Sequence, residues 1–329
     1  MKNSIAILAV LNCFGFLAQN SYFSRKDTLI FAPDSSYARS VVRDGNNLLF
    51  GTSRNGVVQL NEKTGELRTL ILESPSGEFR SVITTGNTTI GMVAGDNGEI
   101  WSTTATRPFL AVDKKTLFFD DMDRYGNSVA VLGDPVNGEF SLFLFDLSAG
   151  KLQTLNAPKS IKDEACYAAS GTTVLHPSAS TILFISGGSN AARFHRTDDL
   201  GKTWTSVDLP MRQGEGCGPF SIHFTDREHA LIVGGCYTSP NEGTKTSLYS
   251  TDGGKSWNVS ETATRGYRSC VTGNRKRQFA CGTNGIDIST DGGKNWKAFD
   301  SGNYCALLLE KKTLYATTNK GKCVRYRLN

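Results

Sequence analysis

The chain has 329 residues, of which 34 are glycine and 20% are charged, and its formal net charge is +5. This length supports a sizeable buried core, and the absence of any long Ala/Leu/Glu/Lys stretch of helical period points toward β structure. The charge is modest and spread out. The one dense basic run, residues 273–278, begins with Gly-Asn and is typical of a solvated hairpin tip, so we expect no nucleic-acid partner.

The N-terminal residues have the layout of a secretory signal peptide. One lysine precedes an apolar run from Ile5 to Ala18, after which the chain becomes polar. The run is too short to span a bilayer comfortably, and no other segment is apolar enough to do so. We expect residues 1–18 to be a signal peptide and residues 19–329 to form a single domain. The protein would then be an exported monomer, periplasmic or extracellular.

The rest of the chain repeats one unit seven times. The unit is a short apolar strand, a turn, a second apolar strand that ends near glycine, and a third strand. Alternation with period two, as in Gly285–Ile288, indicates strands. Units of about 40–50 residues are typical of four-stranded propeller blades, so the sequence predicts an all-β fold, a seven-bladed β-propeller. The units begin at Ala38, Phe79, Phe118, Ala165, Gly218, Gly266 and Asn303.

The seventh unit lacks a fourth strand, since the chain runs out after three strands, at Arg327. The segment before the first unit, Thr28–Ala32, is apolar and extended and has no other place in the repeat. We expect it to add the outer strand of the seventh blade and to close the ring, because closure removes an exposed sheet edge.

Three blades carry a phrase in which Thr-Asp, Gly-Lys and Trp follow one another closely, loosely in the first case, between the predicted third and fourth strands. This phrase is the Asp-box. Its aspartate accepts hydrogen bonds from turn amides, its glycine takes a positive φ, and its tryptophan buries its ring in the blade. We expect these residues to stabilise turns rather than to contact a ligand. They are Asp198, Gly201, Trp204, Asp252, Gly254, Trp257, Asp291, Gly293 and Trp296.

Together with the Asp-boxes, the unit "FRSV…GDNGEIWSTT" and the runs "LGDPVNGEFSLFLFD" and "SGGSNAARFHRTDDLGKTW" resemble the secreted bacterial propellers of the photosystem II stability/assembly factor family. The resemblance covers nearly all of residues 19–329. It implies a seven-bladed binding scaffold, which in photosynthetic members helps to assemble a membrane complex. Members often carry an oxidoreductase label, but this chain has no Gly-x-Gly-x-x-Gly after a strand and no haem or flavin motif, so we expect no cofactor.

The innermost strands of a propeller converge on a central channel, so the residues that open each blade share a small volume. Three arginines at matched positions predict an anion-binding mouth, because guanidinium groups pair bidentately with carboxylate or phosphate. The expected ligand is a partner protein, a peptide or an anionic glycan. Structural ion pairing between these arginines and nearby acids is the alternative. The predicted ligand-binding residues are Arg39, Arg80, Arg268, Asp121 and Glu164.

A second hypothesis is a glycoside hydrolase of sialidase type. The arginines would hold a substrate carboxylate, a tyrosine beside a glutamate would form the nucleophile pair, and an aspartate would be the acid. The Arg-Ile-Pro motif that usually opens sialidases is absent, because Arg39 and Arg80 are each followed by Ser-Val. A non-catalytic binder is therefore preferred. The residues of the hydrolase hypothesis are Asp121 as acid, with Glu164 or Glu215 and Tyr267 or Tyr304 as the nucleophile pair.

Two cysteine pairs fit the repeat. Cys217 and Cys236 flank one predicted hairpin of first and second strands, and Cys270 and Cys281 take opposed places in the next. Each pair is either a cross-strand disulfide or two free, buried thiols. The sequence has no Cys-x-x-Cys pair and no histidine spacing suited to a metal, so it predicts no metal site.

Overall fold

The structure is a computed structural model that describes residues 22–32, 34–71, 77–86, 88–94, 98–104, 108, 110–111 and 117–329. In this part of the chain every regular element is a strand, and the strands form seven antiparallel sheets arranged as blades in a ring. The predicted seven-bladed β-propeller is confirmed. None of the described segments forms a helix that could cross a membrane. The predicted signal peptide, residues 1–18, lies outside the described residues.

The strands are numbered in chain order, and β1 spans Phe23–Ile30. Blades one to three contain β2 (Ala38–Asp44), β3 (Asn47–Thr52), β4 (Val57–Asn61), β5 (Leu67–Ile71), β6 (Glu78–Thr84), β7 (Thr89–Ala94), β8 (Glu99–Ser102), β9 (Leu110–Ala111), β10 (Phe119–Tyr125), β11 (Ser128–Val136), β12 (Glu139–Asp146) and β13 (Lys151–Thr154). Blades four and five contain β14 (Glu164–Ala165), β15 (Val174–Leu175), β16 (Ile182–Gly188), β17 (Ala192–Thr197), β18 (Thr205–Asp208), β19 (Cys217–Phe224), β20 (Ala230–Cys236), β21 (Ser247–Ser250) and β22 (Asn258–Val259). Blades six and seven contain β23 (Cys270–Asn274), β24 (Arg277–Gly282), β25 (Gly285–Ser289), β26 (Lys297–Asp300), β27 (Tyr304–Glu310), β28 (Thr313–Thr318) and β29 (Lys322–Leu328).

The middle strands of the blades are buried on both faces, because each blade packs between two neighbours. All residues of β7 and β20 are buried, whereas those of the outer strand β13 are exposed throughout. The core is therefore a series of layers between blades. Phe119 of blade three, for example, lies in one apolar cluster with Ile90 of blade two. Burial on both faces explains why the second strand of each unit is a nearly continuous apolar run.

The ring is closed by the N-terminal strand, as predicted. β1 pairs with β29, with Thr28 opposite Val324, so that blade seven consists of β27, β28, β29 and β1. The strand begins earlier than the predicted segment, at Phe23. Phe31 follows it and stacks on Phe50 of blade one, with ring centroids 4.3 Å apart. The closure thus combines backbone hydrogen bonds with apolar packing between the first and seventh blades.

The Asp-box turns join the third strand to the fourth in blades four, five and six. In blade five, Asp252 accepts a hydrogen bond from the Ser256 N–H at 3.0 Å, and Gly254 has a φ of 87°. Asp291 and Gly293 repeat this arrangement in blade six. The positive φ explains why a glycine occupies this position in both turns.

In blade four the predicted Asp-box register is wrong by one residue. Asp199, and not Asp198, accepts the hydrogen bond from the Thr203 N–H at 2.9 Å, and such bonds lower the pKa of Asp199 to about 2. Asp198 instead pairs with Arg196 at 2.7 Å. Two consecutive aspartates made the register ambiguous, but the spacing to Gly201, whose φ is 83°, matches that of the other boxes only for Asp199.

The Asp-box tryptophans connect each blade to the one before it. Trp257 and Trp296 are buried, and Trp257 lies edge-on to Phe194 of blade four. Trp204 is half-buried, and its indole N–H donates a hydrogen bond to the Asn156 carbonyl oxygen at 2.9 Å. These turns therefore stabilise the packing between blades as well as their own backbone.

The ring closure is tested by replacing Phe31 with alanine. Phe31 is 1% exposed, and truncating a buried phenylalanine leaves a cavity, so we expect the free energy of unfolding to fall by about 3–5 kcal/mol. The matched control is Ile30→Ala, because Ile30 is 53% exposed and its truncation should change that free energy by less than about 0.5 kcal/mol. Both are measured by urea-induced unfolding. Equal effects of the two substitutions would contradict this role of Phe31.

The corrected Asp-box register is tested with the pair Asp199→Ala and Asp198→Ala. Asp199→Ala removes the acceptor of the turn N–H groups, so we expect it to lower the melting temperature more than Asp198→Ala, which removes an exposed ion pair and one hydrogen bond from the Thr181 hydroxyl. Differential scanning calorimetry of the two variants measures the difference. A larger effect of Asp198→Ala would restore the register predicted from the sequence.

Candidate functional site

Residues that open the innermost strands are directed into the channel by β-bulges. A bulge places two residues opposite one on the partner strand and takes the extra side chain out of the alternating pattern. In β2 and β6 the extra residues are Arg39 and Arg80, which have no opposite residue on the neighbouring strand. Blades three, five and seven interrupt the pairing at the same place, at Asp120, Phe220 and residues 305–306.

Arg39 and Arg80 line a cavity of about 520 Å³ at one end of the channel, which we call the mouth. Its walls come from the segments that open the innermost strands and from turns between second and third strands, which lie at the same end of each blade. The Asp-box turns join third strands to fourth strands and therefore lie at the opposite face. Among the residues that the structure describes, six aromatic side chains line the mouth: Tyr37, Tyr167, Phe220, Tyr237, Tyr267 and Tyr304.

Blades one and two form a cationic side of the mouth. Glu78 accepts a hydrogen bond from Arg80 at 3.0 Å and another from the Tyr37 hydroxyl. Nε of Arg39 lies 3.9 Å from Glu78 and makes no hydrogen bond with any described residue. Two guanidinium groups thus share one carboxylate, and the described side chains that line the mouth provide no second acid.

Asp120 lies next to this cationic side and is a weak counter-charge for it. The residue is buried, and its Oδ2 makes no hydrogen bond within the described part of the chain. Burial, together with the charges of Asp134 and Asp121, raises the pKa of Asp120 well above its ordinary value. The raised pKa makes Asp120 a weaker counter-charge for Arg80, although the charge of Arg80 partly opposes this shift.

The side of the mouth formed by blades four to six is aromatic. Tyr167 stacks on Phe220, with ring centroids 4.1 Å apart and an interplanar angle of 11°. Tyr237 and Tyr267 meet the same Phe220 ring edge-on. Because Tyr237 is 55% exposed, this wall presents an aromatic surface to solvent at the rim.

One of the two cysteine pairs is a disulfide. Cys217 and Cys236 are bonded, and the bond joins the start of β19 to the end of β20, directly before Tyr237. Cys270 and Cys281 lie opposite each other on β23 and β24, where they are free and buried. The disulfide therefore fixes the backbone that carries the aromatic side of the mouth.

The floor of the mouth is a loop of blade four. Where the sequence predicted one innermost strand, the structure has two short strands, β14 and β15, and residues 166–173 between them cross the channel. We call these residues the plug loop. Ser170 donates a hydrogen bond to the Ser269 carbonyl oxygen of blade six at 2.7 Å, and carbonyl oxygens of the loop accept hydrogen bonds from Arg39 and Arg80. The mouth is consequently a concave site that the plug loop closes at its base.

Asp121 anchors the plug loop and does not face the mouth. Its carboxylate is fully buried and accepts hydrogen bonds from the N–H groups of Thr173 and Val174 at 2.7 and 3.0 Å. Asp134 holds the other end of the loop by accepting one from the Cys166 N–H at 2.9 Å. Burial raises the pKa of Asp121 to about 7 and that of Asp134 to about 6. These contacts correct both predicted roles of Asp121, as a ligand-binding residue and as a catalytic acid.

Arg268 points away from the mouth, contrary to the prediction. Its side chain is fully buried, and its guanidinium donates hydrogen bonds to Asp287 at 2.8 Å and to Asn284 at 2.7 Å. Unlike Arg39 and Arg80, it precedes the paired part of its strand, so no bulge directs it to the channel. Burial lowers the pKa of Arg268, and the ion pair with Asp287 opposes this effect. Here the alternative of a structural ion pair is correct.

The two predicted glutamates do not face the mouth either. Glu164 is buried in blade four, where it pairs with Arg193 and accepts a hydrogen bond from Ser186 at 2.5 Å. Burial alone would raise the pKa of Glu164, but its contacts with His195, Arg193 and Ser186 lower it to about 2. Glu215 is exposed on a loop and does not line the mouth. Glu164 is therefore a structural residue and is not free to bind a ligand.

The two predicted tyrosines do line the mouth, but they do not form a nucleophile pair with either glutamate. The Tyr304 hydroxyl is hydrogen-bonded to that of Tyr326 at 2.9 Å, and burial raises the pKa of Tyr304 to about 12. Burial also raises the pKa of Tyr267. Both groups therefore favour the neutral phenol, and the described residues do not assemble the site of the hydrolase hypothesis.

Other features of the described residues offer less to a ligand. A cavity of about 360 Å³ between blades two and three is lined by hydroxyl and apolar side chains such as Thr88 and Phe145, and no charged side chain lines it. No three His, Cys, Asp or Glu side chains of the described ranges are grouped closely enough to hold a metal ion. The mouth combines charge with an aromatic surface, and it is the site we consider below.

Comparisons with known proteins agree with the repeat. Residues 287–298, which include the Asp-box of blade six, match the family model of the BNR/Asp-box repeat. The chain is a β-propeller that contains Asp-box repeats. Residues 153–285 match the Sortilin-Vps10 model, described as sortilin, neurotensin receptor 3. No curated protein matches the chain.

Several solved structures are similar in fold. The computationally designed Ika8 protein is 12% identical, with a TM-score of 0.59 over 91% of this chain and 98% of that one. U3-55K is 9% identical, with a TM-score of 0.65 over 92% and 98%. The WD40 repeats of RRP9 are 8% identical, with a TM-score of 0.64 over 92% and 98%. At these identities the likeness concerns the fold alone.

The anchoring of the plug loop is tested with Asp121→Ala. The substitution leaves the N–H groups of Thr173 and Val174 without their acceptor, and an unsatisfied buried N–H costs about 1–3 kcal/mol. We therefore expect amide hydrogen exchange in the plug loop to accelerate by at least about tenfold, as measured by mass spectrometry. Asp146→Ala is the control, because Asp146 caps a turn at the opposite face of the same blade. Unchanged exchange in Asp121→Ala would refute the anchor.

Proposed function

We propose that the protein is a non-catalytic binding module whose mouth holds an acidic segment of a partner protein. One arrangement carries the proposal: Arg39 and Arg80 lie together and share the single carboxylate of Glu78. A guanidinium group binds a carboxylate through two parallel hydrogen bonds, so an acidic side chain of a ligand would supply the acceptors that Glu78 alone does not.

The aromatic side of the mouth favours a peptide over a small anion. Tyr237 is exposed at the rim, and Tyr167 and Phe220 form a stacked pair beside it. Tyrosine offers a large, rigid contact surface at a small loss of conformational entropy, which suits an apolar side chain of a ligand. A segment with an acidic residue next to an apolar one would contact both sides of the mouth at once.

We further propose that this binding serves the assembly of a complex outside the cytoplasm. The resemblance of the blade motifs to the photosystem II stability/assembly factor family supports an assembly role. The apolar run Ile5–Ala18 supports export, and the disulfide Cys217–Cys236 is typical of an oxidising compartment. The partner would then be a protein of the cell envelope or of the extracellular space.

The proposal is tested by selecting short peptides from a randomised library on the wild-type protein and measuring their affinities by calorimetry. We expect the selected peptides to carry Asp or Glu next to an apolar residue. Arg39→Ala/Arg80→Ala should weaken their binding by at least about tenfold, because a hydrogen bond between charged groups contributes about 1.5–3 kcal/mol.

Arg68→Ala is the matched control for this experiment. Arg68 is exposed on β5, away from the mouth, and pairs with Glu66, so its loss should change the affinity by less than about twofold. Melting temperatures establish that each variant is folded. Selected peptides without acidic residues would contradict the proposal. An equal loss of peptide affinity in Arg39→Ala/Arg80→Ala and in Arg68→Ala would also contradict it. Turnover of a fluorogenic sialoside by the wild type would favour the hydrolase hypothesis instead.

A further inference from the structure

The face opposite the mouth carries a dense group of basic side chains on two hairpin turns. One turn joins β23 to β24 in blade six, and the other joins β27 to β28 in blade seven. Four of the five side chains are exposed, and the fifth is half-buried. We call this group the basic patch. It consists of Arg275, Lys276, Arg277, Lys311 and Lys312.

The two turns of the basic patch are held together around the end of β29. The Arg277 guanidinium donates a hydrogen bond to the Asn329 carbonyl oxygen. The preceding residue, Leu328, donates its N–H to the Lys312 carbonyl oxygen at 2.8 Å. Leu328 and Asn329 are consecutive, so these two bonds hold the two turns side by side. The turns therefore form one continuous basic surface.

The positive charge of the patch is only partly compensated. Arg275 pairs with Asp226 of blade five at 2.8 Å. Glu310, the acid that opens the second turn, pairs with Arg43 at 2.7 Å. The three lysines of the patch form no ion pair with any residue that the structure describes. Their charges are therefore available to an anionic partner.

The N-terminal segment joins the propeller beside the patch. Asn329, which accepts the hydrogen bond from Arg277, donates its own N–H to the Tyr22 carbonyl oxygen at 3.2 Å. Residues 1–21, which lie outside the described residues, precede Tyr22 and include the apolar run Ile5–Ala18. A segment of the kind that enters a membrane during export thus meets the folded domain where the basic side chains are concentrated.

An anionic lipid surface fits these observations better than a nucleic acid or a single phosphate ion. Clusters of several Lys and Arg residues attract negatively charged headgroups when they lie at a membrane surface. The two turns contain no aromatic residue on which a base would stack. Lysines are flexible point charges, which suits a diffuse charged surface rather than one fixed ion.

We propose that the basic patch is a contact surface for an anionic lipid bilayer. The face that carries the patch lies on the membrane, and the mouth, at the other end of the channel, points away from it. The patch and the mouth share no residue, so this inference is independent of what the mouth binds.

The test measures binding of the purified full chain to phosphatidylcholine vesicles with and without phosphatidylglycerol, by flotation, at low and at physiological salt. We expect binding to increase with phosphatidylglycerol and to decrease with salt, because salt screens exposed charges. Lys276→Glu/Lys312→Glu should reduce the difference in partition coefficient between the two vesicle types by at least about tenfold. Mass spectrometry establishes whether the apolar run Ile5–Ala18 is retained. Taking the difference in partition coefficient between the two vesicle types removes the contribution of this run to binding.

Lys320→Glu/Lys322→Glu is the matched control. These exposed lysines lie in blade seven at the turn between β28 and β29, on the face of the mouth, and their substitution changes the net charge equally. We expect partition within about twofold of the wild type. Melting temperatures of both variants establish that they are folded.

Four results would overturn the inference. They are an equal affinity for both vesicle types, an equal loss in both double variants, displacement by inorganic phosphate at constant ionic strength, and tighter binding to single-stranded RNA than to the anionic vesicles. The third would indicate a site for a free ion, and the fourth would indicate a nucleic-acid surface.

Discussion

The candidate site depends on one backbone irregularity, the extra residue at the start of an innermost strand. In a regular strand successive side chains alternate between two faces, and in a propeller both faces are covered by neighbouring blades. A charged side chain that is buried between blades needs a buried counter-charge, as Arg268 has in Asp287. The bulges remove Arg39 and Arg80 from the alternation and direct them to the axis, where their charge can face a ligand.

The plug loop determines the depth of the mouth and links blades that are not neighbours. It belongs to blade four, is anchored by Asp121 and Asp134 of blade three, and contacts Ser269 of blade six. Asp121 is buried and Asp134 is half-buried, which is unfavourable for the charged form of each carboxyl group, but the loop N–H groups donate hydrogen bonds to them. The shape of the site therefore depends on acids that a ligand in the mouth does not contact.

The fold was predictable because its signals are local. Apolar strands, turn residues and a constant spacing recur along the chain, and the one unused apolar segment supplied the closing strand. The site was predictable only in part. Arg268 opens its blade with the same Arg-Ser pair as Arg39 and Arg80, but its orientation depends on Asp287, which lies on another strand. The plug loop, residues 166–173, likewise owes its position to acids of a different blade, and no local pattern records that contact.

The seventh blade combines strands from both ends of the described chain, and this has a mechanical consequence. Tyr22 and Asn329 lie together at one end of the antiparallel pair formed by β1 and β29. A force that pulls these two residues apart would load the hydrogen bonds of the pair one after another, and each contributes only about 1 kcal/mol. The ring would thus open by separation of β1 from β29, one hydrogen bond at a time from this end. The force required would be far smaller than the force needed to shear the two strands along their length.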